Sequence, residues 1–415
     1  MQYNESMNNI YTVAVIGGGA SGLMFSTMLA EKQNIKILLF ERGERLGKKL
    51  SATGNGQGNI TNERAGVDGG YFSVLGNAGV AEDLVSKFGK ESMIAFLENL
   101  GGLFSLDERG RVYPTGRQAS AVTDLLRFRL AESKNVTVLL KQKVTALQRT
   151  GNAFTLESEL DGEKKSYKAD CVVLCTGGKA AKNFGTDGFG YSLAQSFGHT
   201  ITPLYPSLVQ LKTSVEYTKT LKGIRVNDAL VKGVFENKTV CEVSGDVIFT
   251  DYGVSGDAIF KISAFLTDKI DSGKVKLYID LLPEVSKEKL LFVLEKKQRF
   301  IKDKSELLCG VLNNQVGRAV MKYAGGDVAK AVCAVKAFPL DVKGTLGYDY
   351  AQVTKGGIPL LEVDETFQSK KVKDLYFAGE ILDVDGECGG FNLQFAYTSA
   401  KVVADAIIKK SGGQV

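Results

Sequence analysis

Along the first forty residues the spacing of hydrophobic and polar positions changes period twice. Thr12 to Ile16 is a β-rich apolar run, Ser21 to Lys32 carries apolar residues at helical spacing, and Ile35 to Phe40 is a second short apolar run. This pattern predicts strand, helix and strand, a βαβ unit. Helical spacing returns in Ala81 to Leu100 (Leu84, Phe88, Met93, Phe96, Leu97) and in Ala119 to Ser133 (Val122, Leu125, Leu126, Phe128, Leu130), which predicts one helix in each. Val136 to Leu140, Ala146 to Arg149 and Phe154 to Ser158 alternate as strands do, ending at the turn pair Asp161-Gly162. Ala169 to Cys175 is continuously apolar and leads into Thr176-Gly177-Gly178, as a buried parallel strand does where it ends at a ligand.

After His199 the texture changes. Ile201 to Tyr278 is rich in Val, Thr and Ile with turn signals at Glu236-Asn237 and Ser244-Gly245, which predicts a β-rich stretch. Ser286 to Lys304 and Asn314 to Lys336 read as charged amphipathic helices. Short strands return at Gln352 to Thr354 and Leu375 to Ala378, and a last helix is expected over Leu393 to Lys409. The expected architecture is α/β: a discontinuous nucleotide-binding domain, 1–195 plus 346–415, interrupted by an insert, 196–345, with a β-rich part at 200–280 and a helical part at 284–337.

Composition sharpens this picture. Glycine occurs 47 times in 415 residues, about 11% against a usual ~7%, whereas there are only 6 prolines and 1 histidine. Glycine without proline points to close backbone approach to a ligand more than to flexible linkers. The lone His199 excludes a His-rich metal site, and no metal is expected. The net charge of +5 is mild, and the basic pieces Arg42 to Lys49 and Lys370 to Lys373 are too short to argue for nucleic acid. No apolar run approaches the ~18 residues of a membrane span, and the N-terminus lacks a basic leader and a cleavage site. The expectation is a cytosolic protein with a small-molecule substrate and no membrane partner. Six scattered cysteines form no C-x-x-C pair.

The strongest local motif is Val13-Ala-Val-Ile-Gly17-Gly-Gly19-Ala20-Ser21-Gly22, which fits G-x-G-x-x-G between a strand and a helix. Gly17 permits the turn, Gly19 admits a pyrophosphate, and Gly22 lets helix and strand pack closely. Glu41 ends the second strand, about 24 residues after Gly17, where a carboxylate accepts from an adenosine ribose. Four more glycine clusters favour FAD over NAD alone. Arg42 to Ser51, including Lys49, follows the ribose acid, where two-dinucleotide flavoproteins run along the FAD. Thr53-Gly54-Asn55-Gly56-Gln57-Gly58-Asn59 is a slim loop able to pass under a flat ring. Thr176-Gly177-Gly178 adds a strand end. Phe377-Ala-Gly379-Glu380 leads through Asp383, Asp385, Gly386, Glu387, Cys388 and Gly390 to Asn392-Leu393, where a helix N-terminus aimed at the flavin N1–C2=O edge would favour negative charge on the reduced ring.

Together, Gly47-Lys-Lys-Leu, Thr53 to Asn62, Gly110-Arg-Val-Tyr-Pro114, Val353-Thr-Lys-Gly-Gly357, Phe377 to Gly386 and Gly389-Gly-Phe-Asn-Leu-Gln394 resemble the BaiN-like, aminoacetone oxidase-type family of FAD-dependent oxidoreductases over essentially the whole chain. The resemblance implies a bacterial cytosolic flavoprotein with a glutathione-reductase-like FAD-binding Rossmann domain and a mixed insert. It implies either amine oxidation or reduction of conjugated steroid enones. Two departures stand out: the family's Gly-Gly-Gly-Arg-Cys-Asn is here Gly54-Asn-Gly-Gln57-Gly58-Asn59, and its Gly-Asp-Gly-Tyr is Gly188-Phe189-Gly190-Tyr191, with Asp187 one step away.

The expected FAD-contacting set is therefore Gly17, Gly19, Ala20, Ser21, Gly22, Glu41, Arg42, Lys49, Thr53, Gly54, Asn55, Gly56, Asn59, Val144, Thr176, Gly177, Gly178, Gly357, Gly379, Glu380, Asp383, Gly386, Gly390, Asn392 and Leu393. Flavin chemistry asks the protein for orientation, electrostatics and at most a proton donor. Substrate-side candidates are Gln57, Asn59, Tyr205, Asp385, Glu387, Cys388 and Tyr397; His199 reads as a helix-end or junction residue. The expected activity moves a hydride through flavin N5 between NADH, NADPH or a small organic substrate and an acceptor. The alternatives are an amine oxidase that releases peroxide from O2, and a flavin-binding sensor or RNA-associated module.

Overall fold

A computed structural model describes residues 10–67 and 69–412; the leaderless N-terminus expected from residues 1–9 lies outside them. The chain divides into two compact units, residues 1–204 with 353–415, and residues 205–352.

The first unit is built on a parallel sheet. β1 (Tyr11–Ile16), β2 (Ile35–Phe40), β3 (Val136–Leu139), β4 (Cys171–Leu174) and β5 (Leu375–Phe377) lie in the order β5-β4-β1-β2-β3. The register sets Val13 beside Cys171 and Ile37, and Val172 beside Leu375. Val13, Ala14, Val15 and Cys171 to Leu174 are fully buried, which is why these strands read as unbroken apolar runs. Between β1 and β2 runs α1 (Ala20–Met28), packed against the last helix of the chain. A helix over Ala119–Ala131 precedes β3, and Lys143–Thr150, Ala153–Leu160 and Glu163–Ala169 form an antiparallel meander turned at Asp161-Gly162.

Two expected single helices are each broken in two. Ala81 to Leu100 becomes Gly79–Lys87 and Lys90–Glu98, separated at Phe88-Gly89. Asn314 to Lys336 becomes Asn314–Tyr323 and Val328–Lys336, parted by Gly325 and Gly326, both at positive φ. In each case apolar residues keep helical spacing through the break, so periodicity alone cannot reveal it.

The second unit contains a closed six-stranded barrel. Leu211–Thr213, Gly253–Ser255, Lys238–Phe249, Arg225–Phe235, Val275–Asp280 and Phe338–Thr345 pair in that circular order. The expected turn at Ser244-Gly245 is instead mid-strand, where the register of the Arg225–Phe235 pairing shifts at a bulge. A buried helix, Asp257–Leu266, also lies within the stretch expected to be β-rich. The unit starts later than the expected insert because Ile201 and Leu204 pack on the first core and Thr202 binds Gly357. It ends later because Leu346 N–H donates to Gln210 O and Gln352 N–H to Leu208 O.

Candidate cofactor-binding site

The C-terminal ends of β1, β2, β4 and β5 lie along one edge of the sheet, and each runs directly into an expected site segment: Gly17, Glu41, Thr176 and Gly379. That edge is where parallel sheets bind ligands. A Cβ on Gly17 would meet Cys175 O at 2.4 Å, and one on Gly22 would meet Gly17 O at 1.9 Å. Around Gly19, by contrast, nothing lies within 4 Å of such an atom. The two outer glycines seal the turn, and the middle one faces open space in which a pyrophosphate fits. Gly19 precedes Ala20 without any side-chain cap, so the first N–H groups of α1 remain available to an anion.

Glu41 buttresses this turn. Its Oε2 accepts from Gly18 N–H at 3.0 Å and its Oε1 from Gly43 N–H at 2.6 Å, leaving carboxylate lone pairs for ribose hydroxyls. Ser21 Oγ donates to Ala378 O at 3.2 Å, joining α1 to the end of β5. Arg42 is turned toward the 185–188 loop, where it pairs with Asp187 at 2.7 Å and bonds Gly185 O. Asp187, one step from the altered family glycine motif, is thus the partner of Arg42.

Glu380 is a hub at the β5 end of this edge. Its Oε2 meets Lys49 Nζ at 2.7 Å, and its Oε1 accepts from Thr354 N–H at 3.0 Å. Thr354 Oγ1 in turn accepts from Lys179 and Ala180 N–H at 2.7 and 2.9 Å. Four distant segments are thereby tied at one point. Thr354 was not among the expected site residues, although it sits in the Val353-Thr-Lys-Gly-Gly357 motif. Thr202, which accepts from Gly357 N–H at 2.9 Å, carries no comparable signal. Gly178 leaves room for Thr354 and Glu380, whose atoms would stand 2.5 and 2.8 Å from a Cβ there. Thr176 Oγ1 is buried and without a partner, a polar group awaiting one at the strand end.

The loop Thr53-Gly54-Asn55-Gly56-Gln57 is kinked and mostly exposed, with Gly54, Asn55 and Gly56 at φ 58°, 54° and 84°. Asn59 is buried, and its Nδ2 donates to Thr61 O and Val112 O, both at 3.1 Å, so its amide fastens the loop to the neighbouring strand.

The last helix, α2 (Phe391–Lys410), begins at Gly390 with no side-chain cap. A Cβ on Gly390 would meet Thr61 O at 2.5 Å. A helix of 20 residues presents here a free N-terminus and the partial positive charge that goes with it. Asn392 braces the approach: its Oδ1 accepts from Gly386 N–H at 2.9 Å and its Nδ2 donates to Gly386 O at 2.8 Å. Asp383 is fully buried. It accepts from Val74 N–H at 3.0 Å and Ser73 Oγ at 3.0 Å, and burial pushes its carboxyl upward despite those donors. Gln394, absent from the expected set, is fully buried and bridges Thr61, Phe88 O and Thr398.

Several expected side chains therefore have structural employment. Asn59, Asp383 and Asn392 hold loops. Glu387 is paired with Arg64, whose guanidinium lies 5.5 Å from the Phe391 ring. Val144 points into the core at 3% exposure, and Tyr397 is buried with its hydroxyl on Ser92. Gln57 is exposed and Cys388 half-buried in the first unit, while Tyr205 belongs to the second. His199 is a buried residue of the first unit, its ring held between Glu362 and Ser369.

The residues present fit a dinucleotide whose pyrophosphate would be held at α1 and whose ring system would extend toward α2. A family model, the HI0933-like protein Rossmann domain, matches residues 11–406, and the chain belongs to that family, of the FAD-dependent oxidoreductase type. It is 32% identical to the 3-dehydro-bile acid delta(4,6)-reductase of Clostridium scindens, over 96% of this chain and 99% of that one. It is 28% identical to the ribosomal RNA dihydrouridine synthase of Escherichia coli (96% and 98% covered) and 26% identical to that of Haemophilus influenzae (99% and 100% covered). The protein is an enzyme with an FAD-binding Rossmann domain. No helix in the described residues is long and apolar enough to cross a membrane.

Proposed function

We propose that the chain is an FAD-dependent reductase that passes a hydride from NADH or NADPH to a carbon–carbon double bond conjugated to a carbonyl. The observation that carries this reading is the pairing of two uncapped helix N-termini, one at Gly19 and one at Gly390, with a strand-end edge tied through Glu380. The substrate class is drawn from the relatives' names: a Δ(4,6)-reductase of a 3-oxo steroid and a synthase of dihydrouridine both saturate a C=C bond conjugated to a carbonyl.

The chemistry supplied by bound FAD is hydride acceptance and release at N5. The protein's part is positional and electrostatic. The α1 N-terminus and Glu41 would hold the pyrophosphate and ribose, and the free N–H groups opening α2 would favour negative charge on a ring bound near them. Beside that helix start, Asn62 Nδ2 and Arg111 Cδ stand 3.6 and 3.7 Å from a Cβ built on Gly389. The Tyr113 ring carries Arg117 at 4.0 Å and Arg111 at 5.8 Å. Burial raises the Tyr113 phenol above its usual value, so it stays a protonated donor at neutral pH. Asn62 Nδ2 is held by Gly389 O at 3.0 Å and the Arg111 guanidinium by Asp107 at 2.9 Å, so the Tyr113 phenol is the donor that suits the oxygen of an enone, where charge would develop as the β-carbon is reduced.

Anaerobic mixing with NADPH and with NADH tests the reading. The flavin absorbance should bleach with one or both, and a 3-oxo-Δ4 steroid or a uridine-containing RNA should restore it. Failure of both nucleotides to bleach the flavin, together with peroxide release from aminoacetone in air, would establish an amine oxidase instead.

A further inference from the structure

The helix Lys287–Gln298 and the turn after it form an exposed basic face in the second unit. Leu290 and Leu294, 1% and 0% exposed, anchor the helix in the core and fix which face looks outward. On that face lie Lys289, Phe292, Lys296 and Arg299 at intervals of three and four residues, followed by Phe300 and Lys302. Phe292 and Phe300 are each 67% exposed.

Some cations elsewhere in the unit are neutralised, whereas Lys212, Lys219, Lys238, Lys322, Lys330 and Lys343, like those of this segment, meet no carboxylate among the described residues; the spacing of this segment's cations around two exposed rings is what sets it apart. Lys222, Lys232, Lys261, Lys274, Arg318 and Lys336 each meet a carboxylate. Among the described residues, no ion pair holds Lys289, Lys296, Arg299 or Lys302. Of the segment's carboxylates, Asp303 accepts from Ser305 N–H, and Glu288 and Glu295 are too few to balance the face.

We infer that this face docks a single-stranded polynucleotide. Unneutralised Lys and Arg along a helix suit a phosphate backbone, and exposed aromatic rings between them suit stacked bases. An anionic membrane is a poorer fit. An interfacial helix needs a continuous apolar face, and here Lys296 and Arg299 lie between the two phenylalanines, so inserting both rings would carry cations into the hydrocarbon. The inference stands apart from the proposed reductase activity, since docking and hydride transfer have separate readouts.

The test is fluorescence anisotropy of the flavin-loaded protein with labelled oligouridylate and oligothymidylate of about 20 nucleotides, long enough to cover a binding site, across a salt series. The expected result is salt-sensitive binding of one or both, the ratio between them showing whether the site prefers RNA or DNA. Reversing three charges, K289E/K296E/R299E, should cut affinity more than 10-fold and lower the salt slope by about 2. Phe292→Ala and Phe300→Ala should each weaken binding roughly 5-fold or more, with flavin content and thermal melting unchanged. Equal affinity for wild type and the charge-reversed protein would overturn the proposal. So would absence of binding at low salt, or partition onto phosphatidylglycerol vesicles in place of oligonucleotide binding. NADPH bleaching of the flavin in the same samples shows whether the reductase reading holds independently.

Discussion

Lys49 Nζ and Glu380 Oε2 lie 2.7 Å apart, a contact between residues 331 positions apart in sequence. Both are partly buried, at 25% and 19% side-chain exposure, so the pair is worth more than a surface ion pair. Lys49 belongs to the stretch after Glu41 and Glu380 to the end of β5, so the contact joins the two halves of a discontinuous domain at the edge proposed here for the cofactor. Replacing Lys49 with Met leaves Glu380 with Thr354 N–H and no cation. FAD affinity should fall roughly 10-fold, the scale of a lost charge-assisted hydrogen bond. Flavin retained through gel filtration and titration of the apoprotein would show it; unchanged retention would refute the role given to this pair.

Gly19 and Gly22 should respond to alanine in opposite ways. A Cβ on Gly22 would stand 1.9 Å from Gly17 O. Gly22→Ala must therefore force α1 away from β1 and should destabilise the apoprotein by at least about 1–3 kcal/mol, the range for overpacking. Gly19 has φ −81° and no neighbour within 4 Å of its built Cβ. Gly19→Ala should leave the apoprotein's melting temperature unchanged and weaken FAD binding, because the added methyl enters the space assigned to the pyrophosphate. Equal FAD affinity in Gly19→Ala and wild type would mean that the phosphates lie elsewhere.

Two kinds of information were unequally visible in the sequence. The parallel strands announce themselves because both faces of each are covered, which makes Ala169 to Cys175 an unbroken apolar run. The glycine turn at Gly17 is legible because its constraint is local: strand, turn and helix are consecutive. What could not be read is the use made of individual polar groups. Asn59, Asp383 and Asn392 sit in glycine-rich flavin segments, yet their side chains serve backbone groups of Thr61, Val74 and Gly386. Those partners are set by tertiary folding, and nothing in composition marks them. Thr354 and Gln394 are the reverse case, ordinary residues in their own segments that become connectors because segments far apart in sequence converge on them.

His199 gives the protein a built-in sensitivity to acid. Its Nδ1 lies 2.8 Å from Glu362 Oε2 and its Nε2 2.7 Å from Ser369 Oγ, with the side chain wholly buried. Burial lowers the His199 pKa and outweighs the pull of Glu362 in the other direction. The unfolded chain therefore binds the imidazole proton more readily than the native one. Stability is complete above the unfolded value of about 6.5 and falls as pH drops toward the lower folded value. Glu362 adds a second window: although burial opposes it, Lys371, Thr200 and His199 hold its carboxyl down at about 2. Its contribution is present above the unfolded value of about 4.3 and is lost as pH falls toward 2. The protein's melting temperature should decline from pH 7.5 to pH 5.5, by no more than about 1.4 kcal/mol of stability per pH unit for one proton. His199→Gln should be less stable at pH 7.5 but flatter across this interval. An equally steep decline in His199→Gln would assign the proton to another group.

The altered family loop supplies a sharper test of how backbone and sequence are matched. The resemblance drawn from the sequence implies Arg-Cys where this chain has Gln57-Gly58, and a simple view would treat the two substitutions alike. Gln57 is exposed at an αR C-cap, with φ −84° and ψ −20°, so Gln57→Arg should fold as wild type does and add a cation beside the flavin loop. Gly58 is different. It has φ +77°, and a Cβ there would stand 2.8 Å from Ala119 Cα, backbone at the start of a helix that cannot swing aside as a side chain tip can. Gly58→Cys should therefore cost about 1–3 kcal/mol, from positive φ and crowding together, and weaken flavin retention by moving the 53–59 loop. Gly58→Ala, which has the same Cβ and no thiol, should cost the same; if only the cysteine variant were impaired, the thiol's chemistry and not the backbone would be responsible. Should Gly58→Cys melt with wild type and keep its flavin, the close approach of Gly58 to Ala119 would not constrain this loop.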